Sequence, residues 1–310
     1  MVCRYWYRLI SVSTDAHVCS AVQCSVDFSL LVAVCFEILR SSTVTHNDEA
    51  PSELAQAMMD YLDCPCTFFG PASDDSRLMK AWQETRKRGA VEGFVPVIVT
   101  VDDTLFEMML LNTDADKDVP DNSNNLSFNS DMVRQYRQRM LDGSLPDGRQ
   151  VLNDMIDTRR SEADDDEINW ENEVIGEPGR SWANDSFESY GDYEDGSQCP
   201  VILACIPVKN PWEVFAWIPM GNWNECPDTP ELMAVARYWY EQHQAVPATM
   251  SHDVLEFTVP AAPDAEKARN LALEQYSFCP DIVDQSAPGM NVASLAEVLK
   301  KSSVWYFWWD

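Results

Sequence analysis

Four side chains near the end of the sequence have the types and spacing that could support chemistry: Glu274, Cys279, Asp281 and Asp284. A cysteine acts as a nucleophile when its surroundings lower the pKa of its thiol. Asp281 and Asp284 are three residues apart, so one helical turn would place both carboxylates on one face, where they could hold a hard cation. We take these four residues as the catalytic candidates. The alternative is a polar network that caps helices around a buried Cys279.

A second group of residues has the character of a binding surface. Trp223, Asn224 and Glu225 lie in a polar loop, while Arg237 and Asp310 carry charges that could meet the catalytic candidates in space. Trp223 follows Gly-Asn in this loop, so we expect its indole to be partly exposed. Most other tryptophans of the C-terminal part are predicted to be core residues, because each can bury about 150–250 Å².

The common catalytic and metal-binding signatures are missing from the sequence. It contains no G-x-S-x-G, H-E-x-x-H, P-loop or G-x-G-x-x-G motif. The cysteine spacings form no zinc pattern, and His243 and His252 are the only histidines beyond residue 47. We therefore expect no metal and no cofactor, and the sequence leaves open whether the protein is an enzyme.

The charge balance restricts the possible partners. The chain has 22 Lys+Arg against 51 Asp+Glu, a formal net charge of -29, and it is 45% apolar. This apolar content excludes disorder of the whole chain, and the negative charge argues against nucleic-acid binding, which depends on Lys and Arg. A basic protein is the partner that such a surface would favour. The sequence does not indicate an oligomeric state.

The acidity is concentrated in residues 161–198, which hold 13 acids and one base, Arg180. Like charges at this density favour an extended chain, so the segment is predicted to be an acidic linker. Two interpretations remain: a solvated spacer, or an acidic arm that docks on a basic partner. Its scattered aromatic residues indicate that part of it lies on the folded body.

Residues 1–47 differ in composition from the rest of the chain. Their apolar run, 28–39, is too short for a membrane helix, which needs about 20 residues. Acidic residues also interrupt the centre that a signal peptide would require. The stretch is therefore either an upstream extension from a start codon placed too early or a genuine but poorly ordered N-terminus. Without a secretion signal or membrane span, we expect a cytoplasmic protein with reduced cysteines.

Hydrophobic periodicity predicts the elements that position the candidate residues. Residues 48–160 are predicted to form an N-terminal α/β region, beginning with a helix over 52–63 and a strand over 66–69. The C-terminal region, 199–310, is predicted to have the order β-β-α-β-α-α-β. Its elements are strands at 200–208, 212–218, 255–259 and 304–309, and helices beginning near 229, 264 and 291. The expected fold class is α+β, with helices packed on a mixed sheet.

The C-terminal region resembles the bacterial domain-of-unknown-function 4253 family. The resemblance is carried by Trp-Asn-Glu-Cys-Pro at 223–227, Phe-Cys-Pro-Asp-Ile-Val-Asp-Gln at 278–285, and the ending Trp-Tyr-Phe-Trp-Trp-Asp at 305–310. It covers about 199–310. Gly-Phe-Val-Pro-Val at 93–97, with Asp103 and Glu107, is similar to the upstream part of longer members. Ser286 stands where members tend to have Gly. The resemblance implies an α/β domain in a bacterial cytoplasm and brings no established activity.

Two functional hypotheses follow. The first is a protein-binding module of immunity or regulatory type that engages a basic partner, since opposite charge speeds encounter. The alternative is a hydrolase that uses the region of Cys279, Asp281 and Asp284. The two differ in whether these side chains meet at an open pocket or point into packed interior.

Overall fold

A mixed β-sheet organises the described part of the chain. The computed structural model describes residues 44–45, 50–117, 126–192 and 196–310. In these residues seven strands lie in the order β1-β2-β4-β3-β5-β6-β7. They are β1 (Val44–Thr45), β2 (Cys66–Phe69), β3 (Val95–Thr100), β4 (Val201–Ile206), β5 (Val246–Met250), β6 (Val254–Thr258) and β7 (Val304–Trp308). The predicted α+β class with a mixed sheet is confirmed. Apart from β1, the expectation for residues 1–47 lies outside the described residues.

The sheet contains both parallel and antiparallel strand pairs, and helices lie between most of its strands along the chain. β1 and β2, and likewise β3 and β5, pair in parallel, while the other neighbours are antiparallel. The helices are α1 (Glu53–Leu62), α2 (Ser76–Glu92), α3 (Asp103–Thr113), α4 (Ser130–Asp142), α5 (Gly148–Asp165), α6 (Thr229–His243), α7 (Ala265–Phe278), α8 (Asp281–Asp284) and α9 (Val292–Leu299). A π-helical turn spans Trp170–Ile175 and a 3-10 helix spans Pro211–Ala216. None of the described helices is both long and apolar enough to cross a lipid bilayer.

The two faces of the sheet bury two separate cores, because successive side chains of a strand point to opposite faces. The large face carries residues such as Phe68, Val97 and Phe257, and it is packed by α1, α3, α6, α7 and α9. The small face carries residues such as Ile98 and Leu203 and is covered by α2 and part of the acidic segment. Strands from 48–160 and from 199–310 thus share one sheet, with β4 between β2 and β3.

Residues 182–190, which we name the strap, close the small face. Phe187 and Tyr190 are buried in the smaller core, and the ring of Phe187 packs edge-on against Trp82 at 5.2 Å. The main-chain N–H groups of Glu188 and Ser189 donate to the buried carboxylate of Glu256, at 2.9 and 3.2 Å. The strap therefore lies on the folded body, as its aromatic residues indicated, and is not a solvated linker, because its aromatic side chains and its main chain both find partners there.

Side-chain caps fix the starts of several helices. The side chains of Ser52, Asp264 and Asn291 accept hydrogen bonds from the main chain three residues later, as N-cap residues do. At α6 the cap is Asp228, and Thr229, near which this helix was predicted to begin, is its first helical residue. These caps confirm the helix starts to within a residue.

In the C-terminal region, one predicted strand is wrong and one strand was missed. The stretch 212–218 is mostly the 3-10 helix, because Pro211 and Glu213 supply a helix start and the Glu213 carboxylate accepts from the N–H of Asn210 at 3.0 Å. The missed strand is β5, whose Pro247 weakens the strand pattern and lies at a register shift. In the C-terminal region β4 is therefore followed by a 3-10 helix and α6, and β5 and β6 come together after them.

Candidate functional site

The junction between α7 and α8 positions the four catalytic candidates. α7 ends at Phe278, and the N–H of Cys279 still bonds the carbonyl of Gln275 at 2.9 Å. Pro280 then leads directly into the single turn of α8, which begins at Asp281. The chain direction changes at this point, so Cys279 faces inward while both aspartates lie near the surface.

Cys279 is a buried thiol rather than a poised thiolate. Its side chain is fully buried, and its sulfur donates to the main-chain oxygen of Trp308 at 3.0 Å. Burial raises the pKa of this thiol well above its usual value. The reactive form of cysteine is the thiolate, so this environment works against nucleophilic chemistry.

Glu274 ties α7 to α6. Its carboxylate accepts from the hydroxyl of Tyr238 at 3.1 Å and from the indole N–H of Trp239 at 3.0 Å. Burial raises the pKa of Glu274, and these two hydrogen bonds partly offset that rise. Trp239 lies at the centre of the aromatic core, so Glu274 serves as an acceptor for a core indole.

A surface network joins several of the predicted binding residues. The N–H of Asp310 donates to Asp281 at 3.0 Å, and the amide of Asn224 donates to the main-chain oxygen of Asp310. Beside them, the guanidinium of Arg159 donates two hydrogen bonds to the carboxylate of Glu225, at 2.6 and 3.2 Å. Direct hydrogen bonds therefore join Asn224, Asp281 and Asp310. Glu225, which follows Asn224 in the loop, is paired with Arg159.

The charges of this network also shift the pKa of Asp284. Burial raises its pKa, and the charges of Asp281 and Glu225 raise it further. The hydroxyl of Tyr276, 3.4 Å away, and the guanidinium of Arg159 act in the opposite direction. Arg159 thus supplies the positive charge of the network.

Arg237, which we expected to occupy that place, lies elsewhere. It pairs with Glu241 at 2.9 Å and sits over the ring of Trp212, 5.8 Å from its centroid. Arg159 was not predicted as a site residue, and its local signal is weak: an i,i+3 partner, Glu162, on a polar helix. Trp223 is half-buried, in agreement with the partial exposure expected for this loop.

Neither histidine beyond residue 47 completes a nucleophilic pair with Cys279. His252 bonds Asp102 at 2.5 Å, and the ring of His243 packs edge-on against Trp305 at 5.5 Å. Among the described residues, no group of three or more His, Cys, Asp and Glu is placed to hold a metal ion.

A small cavity of about 220 Å³ borders the network between α5, α6 and α7. Arg159 and Glu225 lie at its wall together with the buried hydroxyl of Ser277, which has no hydrogen-bond partner in the described part of the chain. Arg159 and Glu225 are paired with each other, so neither charge is free to bind a molecule in this cavity.

These features define an α+β protein with a paired-charge surface network at its C-terminal end. Residues 202–310 match the model of the family described as Domain of unknown function (DUF4253). This match confirms the predicted resemblance for that part of the chain, which contains β4 to β7 and every predicted site residue. No curated protein and no solved structure gives a significant match to the chain.

Proposed function

We propose that this protein is a binding module for a basic protein partner, of immunity or regulatory type, in a bacterial cytoplasm. The proposed contact is the acidic face, which we define as the exposed carboxylates of residues 162–177. They comprise Glu162, Asp164, Asp165, Asp166, Glu167, Glu171, Glu173 and Glu177. A surface of this sign attracts a basic protein and orients it during encounter.

The observation that carries the proposal is the position of these charges on α5. The helix ends at Asp165 with no basic residue in its last turn, although Glu162, Asp164 and Asp165 lie there. A helix C-terminus carries a partial negative charge, so an exposed carboxylate there typically costs about 0.3–1 kcal/mol. The sequence thus maintains an arrangement that opposes helix stability, and a bound cationic surface would remove that cost.

In the described residues, only Glu162 of the acidic face forms a salt bridge, to Arg159 at 2.8 Å. In the described part of the chain, no Lys or Arg lies within salt-bridge distance of Asp164, Asp165 or Asp166. Arg159 is engaged by Glu162 and Glu225, and Arg160 lies over the ring of Trp170 at 5.4 Å. Ile168 is 40% exposed within the face and offers an apolar contact among the charges. A charged patch with one exposed aliphatic side chain fits a protein surface.

The test compares two charge-neutralised variants of the full chain. Asp164→Asn with Asp165→Asn removes two charges from the end of α5, while Glu84→Gln with Glu107→Gln removes two exposed charges from the middle of α2 and α3. A partner is captured from the native host at low salt, purified and titrated against both variants. We expect a basic partner whose association rate falls severalfold only with the first variant, and whose affinity falls as salt rises.

Three results would count against this function. They are no retained partner even after crosslinking, an acidic partner, or equal binding by both variants. An independent readout is stability: the α5 variant should unfold at higher temperature than the control, because it removes charge from a helix C-terminus. A gain in stability joined to a loss of binding would indicate that the charges serve the partner.

A further inference from the structure

Two cysteines meet between the end of α1 and the start of β2. α1 ends at Leu62, Asp63 turns the chain in the left-handed conformation with a φ of 48°, and β2 begins at Cys66. The sulfurs of Cys64 and Cys66 lie 3.9 Å apart, within hydrogen-bonding distance. No other two cysteines in the described residues are joined by a sulfur–sulfur hydrogen bond. The pair is therefore a local concentration of soft ligand atoms.

The separation of the two sulfurs suits a metal ion held between them. A disulfide bond is about 2.0 Å long, so its formation would require the sulfurs to approach by about 1.9 Å. Two metal–sulfur bonds of about 2.3 Å, by contrast, span the observed distance at a sulfur–metal–sulfur angle of about 115°. This angle lies between those of tetrahedral and trigonal coordination. The pair can therefore chelate an ion with little movement of either side chain.

The surroundings of the pair provide a path for an ion and a proton that it can replace. Cys64 is half-buried and Cys66 is 8% exposed, so an ion approaches from the side of Cys64. The hydrogen bond to Cys66, followed by burial, raises the pKa of Cys64 well above its usual value. Without a metal, Cys64 therefore keeps its proton. A thiophilic ion can displace it, because metals bind the thiolate and release the proton.

A buried guanidinium beside Cys64 restricts the charge of the site. Arg137 of α4 is 6% exposed, donates to the main-chain oxygen of Tyr61 at 2.7 Å and lies 4.8 Å from the ring centroid of Trp217. Its Nε has no hydrogen-bond partner in the described part of the chain. The charge of Asp63 acts on it only from beyond salt-bridge distance, and its own charge acts to lower the pKa of Cys64. A buried cation in this position favours a negatively charged neighbour.

The charge of Arg137 discriminates between divalent and monovalent ions. Two thiolates and a divalent ion are neutral in total, so they would leave Arg137 unbalanced. Two thiolates and a monovalent ion carry one negative charge, which Arg137 balances. Cu(I) is the monovalent ion that soft thiolate ligands select. The expectation of no metal rested on the spacings of zinc sites, which have four ligands and do not test for an ion held by two sulfurs.

We infer that Cys64 and Cys66 bind a soft monovalent metal ion of the Cu(I) class, with Arg137 as the counter-charge. Each thiol releases its proton to solvent, two metal–sulfur bonds form, and the oxidation state of the ion does not change. The site lies outside residues 202–310, which match the family model, and it uses none of the carboxylates of the acidic face.

The test is a titration of the reduced full chain with Cu(I) in the absence of oxygen, in competition with the coloured chelator bicinchoninate. Residues 1–47 contain four further cysteines, so the measurement is a difference between variants. Cys64→Ser with Cys66→Ser should bind one Cu(I) fewer per chain. Cys199→Ser is the matched control, since Cys199 is also half-buried and followed by proline, and it should bind as the unmodified chain does.

Arg137 is tested as a positioning charge rather than as a ligand. Arg137→Met should weaken Cu(I) binding at this site by about tenfold, whereas Arg137→Lys, which keeps the charge, should weaken it less. Circular dichroism checks that both variants are folded. Equal affinities of the unmodified chain and a folded Arg137→Met would contradict the role of the counter-charge.

Alkylation with iodoacetamide followed by peptide mapping locates the ion. Cu(I) should protect Cys64 and Cys66 together, and Zn(II) at the same free concentration should protect them much less. Three results would overturn the inference: an unchanged Cu(I) stoichiometry in the double variant, equal protection by Zn(II), or no protection by either ion. Formation of a disulfide between Cys64 and Cys66 with oxidised glutathione, joined to a lack of protection by Cu(I), would show that the pair is a redox pair instead.

Discussion

The two faces of the sheet are covered by very different parts of the chain. On the large face several helices enclose an aromatic core in which Trp239 contacts Phe257, Phe278, Trp305 and Phe307. On the small face one helix, α2, shares the cover with the strap, a stretch without regular helix or strand. The large face is therefore held by side-chain packing, whereas the small face also depends on a few hydrogen bonds to one buried carboxylate. We therefore expect substitutions on the large face to destabilise the whole fold, and substitutions at the strap to act mainly on the small face.

The largest expected effect tests the packed side. Trp239→Ala removes a fully buried indole that stacks on Phe307 at 5.3 Å and donates to Glu274. We expect a loss of about 4 kcal/mol in the free energy of unfolding, from lost burial and the cavity left behind. Denaturant unfolding measures it. A loss below about 1 kcal/mol would contradict the assignment of this core as the main source of stability.

Phe187→Ala makes the corresponding change on the small face. The side chain is 8% exposed and packs on Trp82, and it belongs to the strap, which contains no helix or strand. We expect a smaller loss, about 2 kcal/mol, with faster amide exchange confined to the strap. Uniformly faster exchange over the whole sheet would show that the two faces are not separable.

Glu256→Gln tests the hydrogen bonds that hold the strap. The carboxylate accepts from the hydroxyl of Thr249 at 2.6 Å as well as from the N–H groups of Glu188 and Ser189. A glutamine has one acceptor oxygen and turns its NH2 toward another donor, so we expect a loss of about 1–2 kcal/mol near neutral pH. Thr249→Val, which removes only the hydroxyl donor, is the matched control and should cost less.

The same glutamate makes the small face sensitive to pH. Burial raises its pKa above the ordinary value of 4.5, and the hydrogen bonds from Thr249 and the strap partly offset that rise. Between about pH 4.5 and the folded pKa, the folded state holds a proton that the unfolded state has lost. The contribution of Glu256 to stability therefore declines as pH rises through that range. The difference in unfolding free energy between the original chain and Glu256→Gln should change in that window. A difference that is constant with pH would contradict the raised pKa.

The smallest effect concerns a contact outside both cores. His252 bonds Asp102 and lies 3.5 Å from Asp253, and the hydrogen bond to Asp102 raises the pKa of the imidazole. This stabilisation is fully present below about pH 6.5 and is lost as pH rises through the folded pKa. Because the imidazole is 37% exposed, we expect His252→Asn to cost less than about 1 kcal/mol at pH 5.5 and almost nothing at pH 9. A larger cost at pH 9 than at pH 5.5 would contradict this sign.

The sequence predicted those parts of the fold that depend on local signals. Ser52, Asp264 and Asn291 cap helices because a short polar side chain can reach the third N–H whatever surrounds it. The error at 212–218 has the same origin, since its β-branched and aromatic residues outweighed a helix start in the prediction. The aromatic residues of 161–198 indicated that part of this segment lies on the folded body. Local patterns could not show where it lies, because Phe187 and Tyr190 acquire partners only from distant strands and helices.

The candidate site was predictable only in part for the same reason. Asp281, Asp310 and Asn224 all lie in the C-terminal region, and they are joined by hydrogen bonds. Arg159, which supplies the positive charge, is 66 residues away from its partner Glu225 along the chain.

The anchoring of the strap by Glu256 has a consequence for synthesis on the ribosome. The strap precedes Glu256 by 68 residues, and it precedes its contacts near Ser303 by well over 100. Trp82, on which Phe187 packs, is already synthesised when the strap emerges, but Glu256 and Ser303, to which the strap is hydrogen-bonded, are not. We expect nascent chains that end before residue 256 to expose Phe69, Leu78 and Trp82 to chaperones, and the small face to be the last part of the sheet to close.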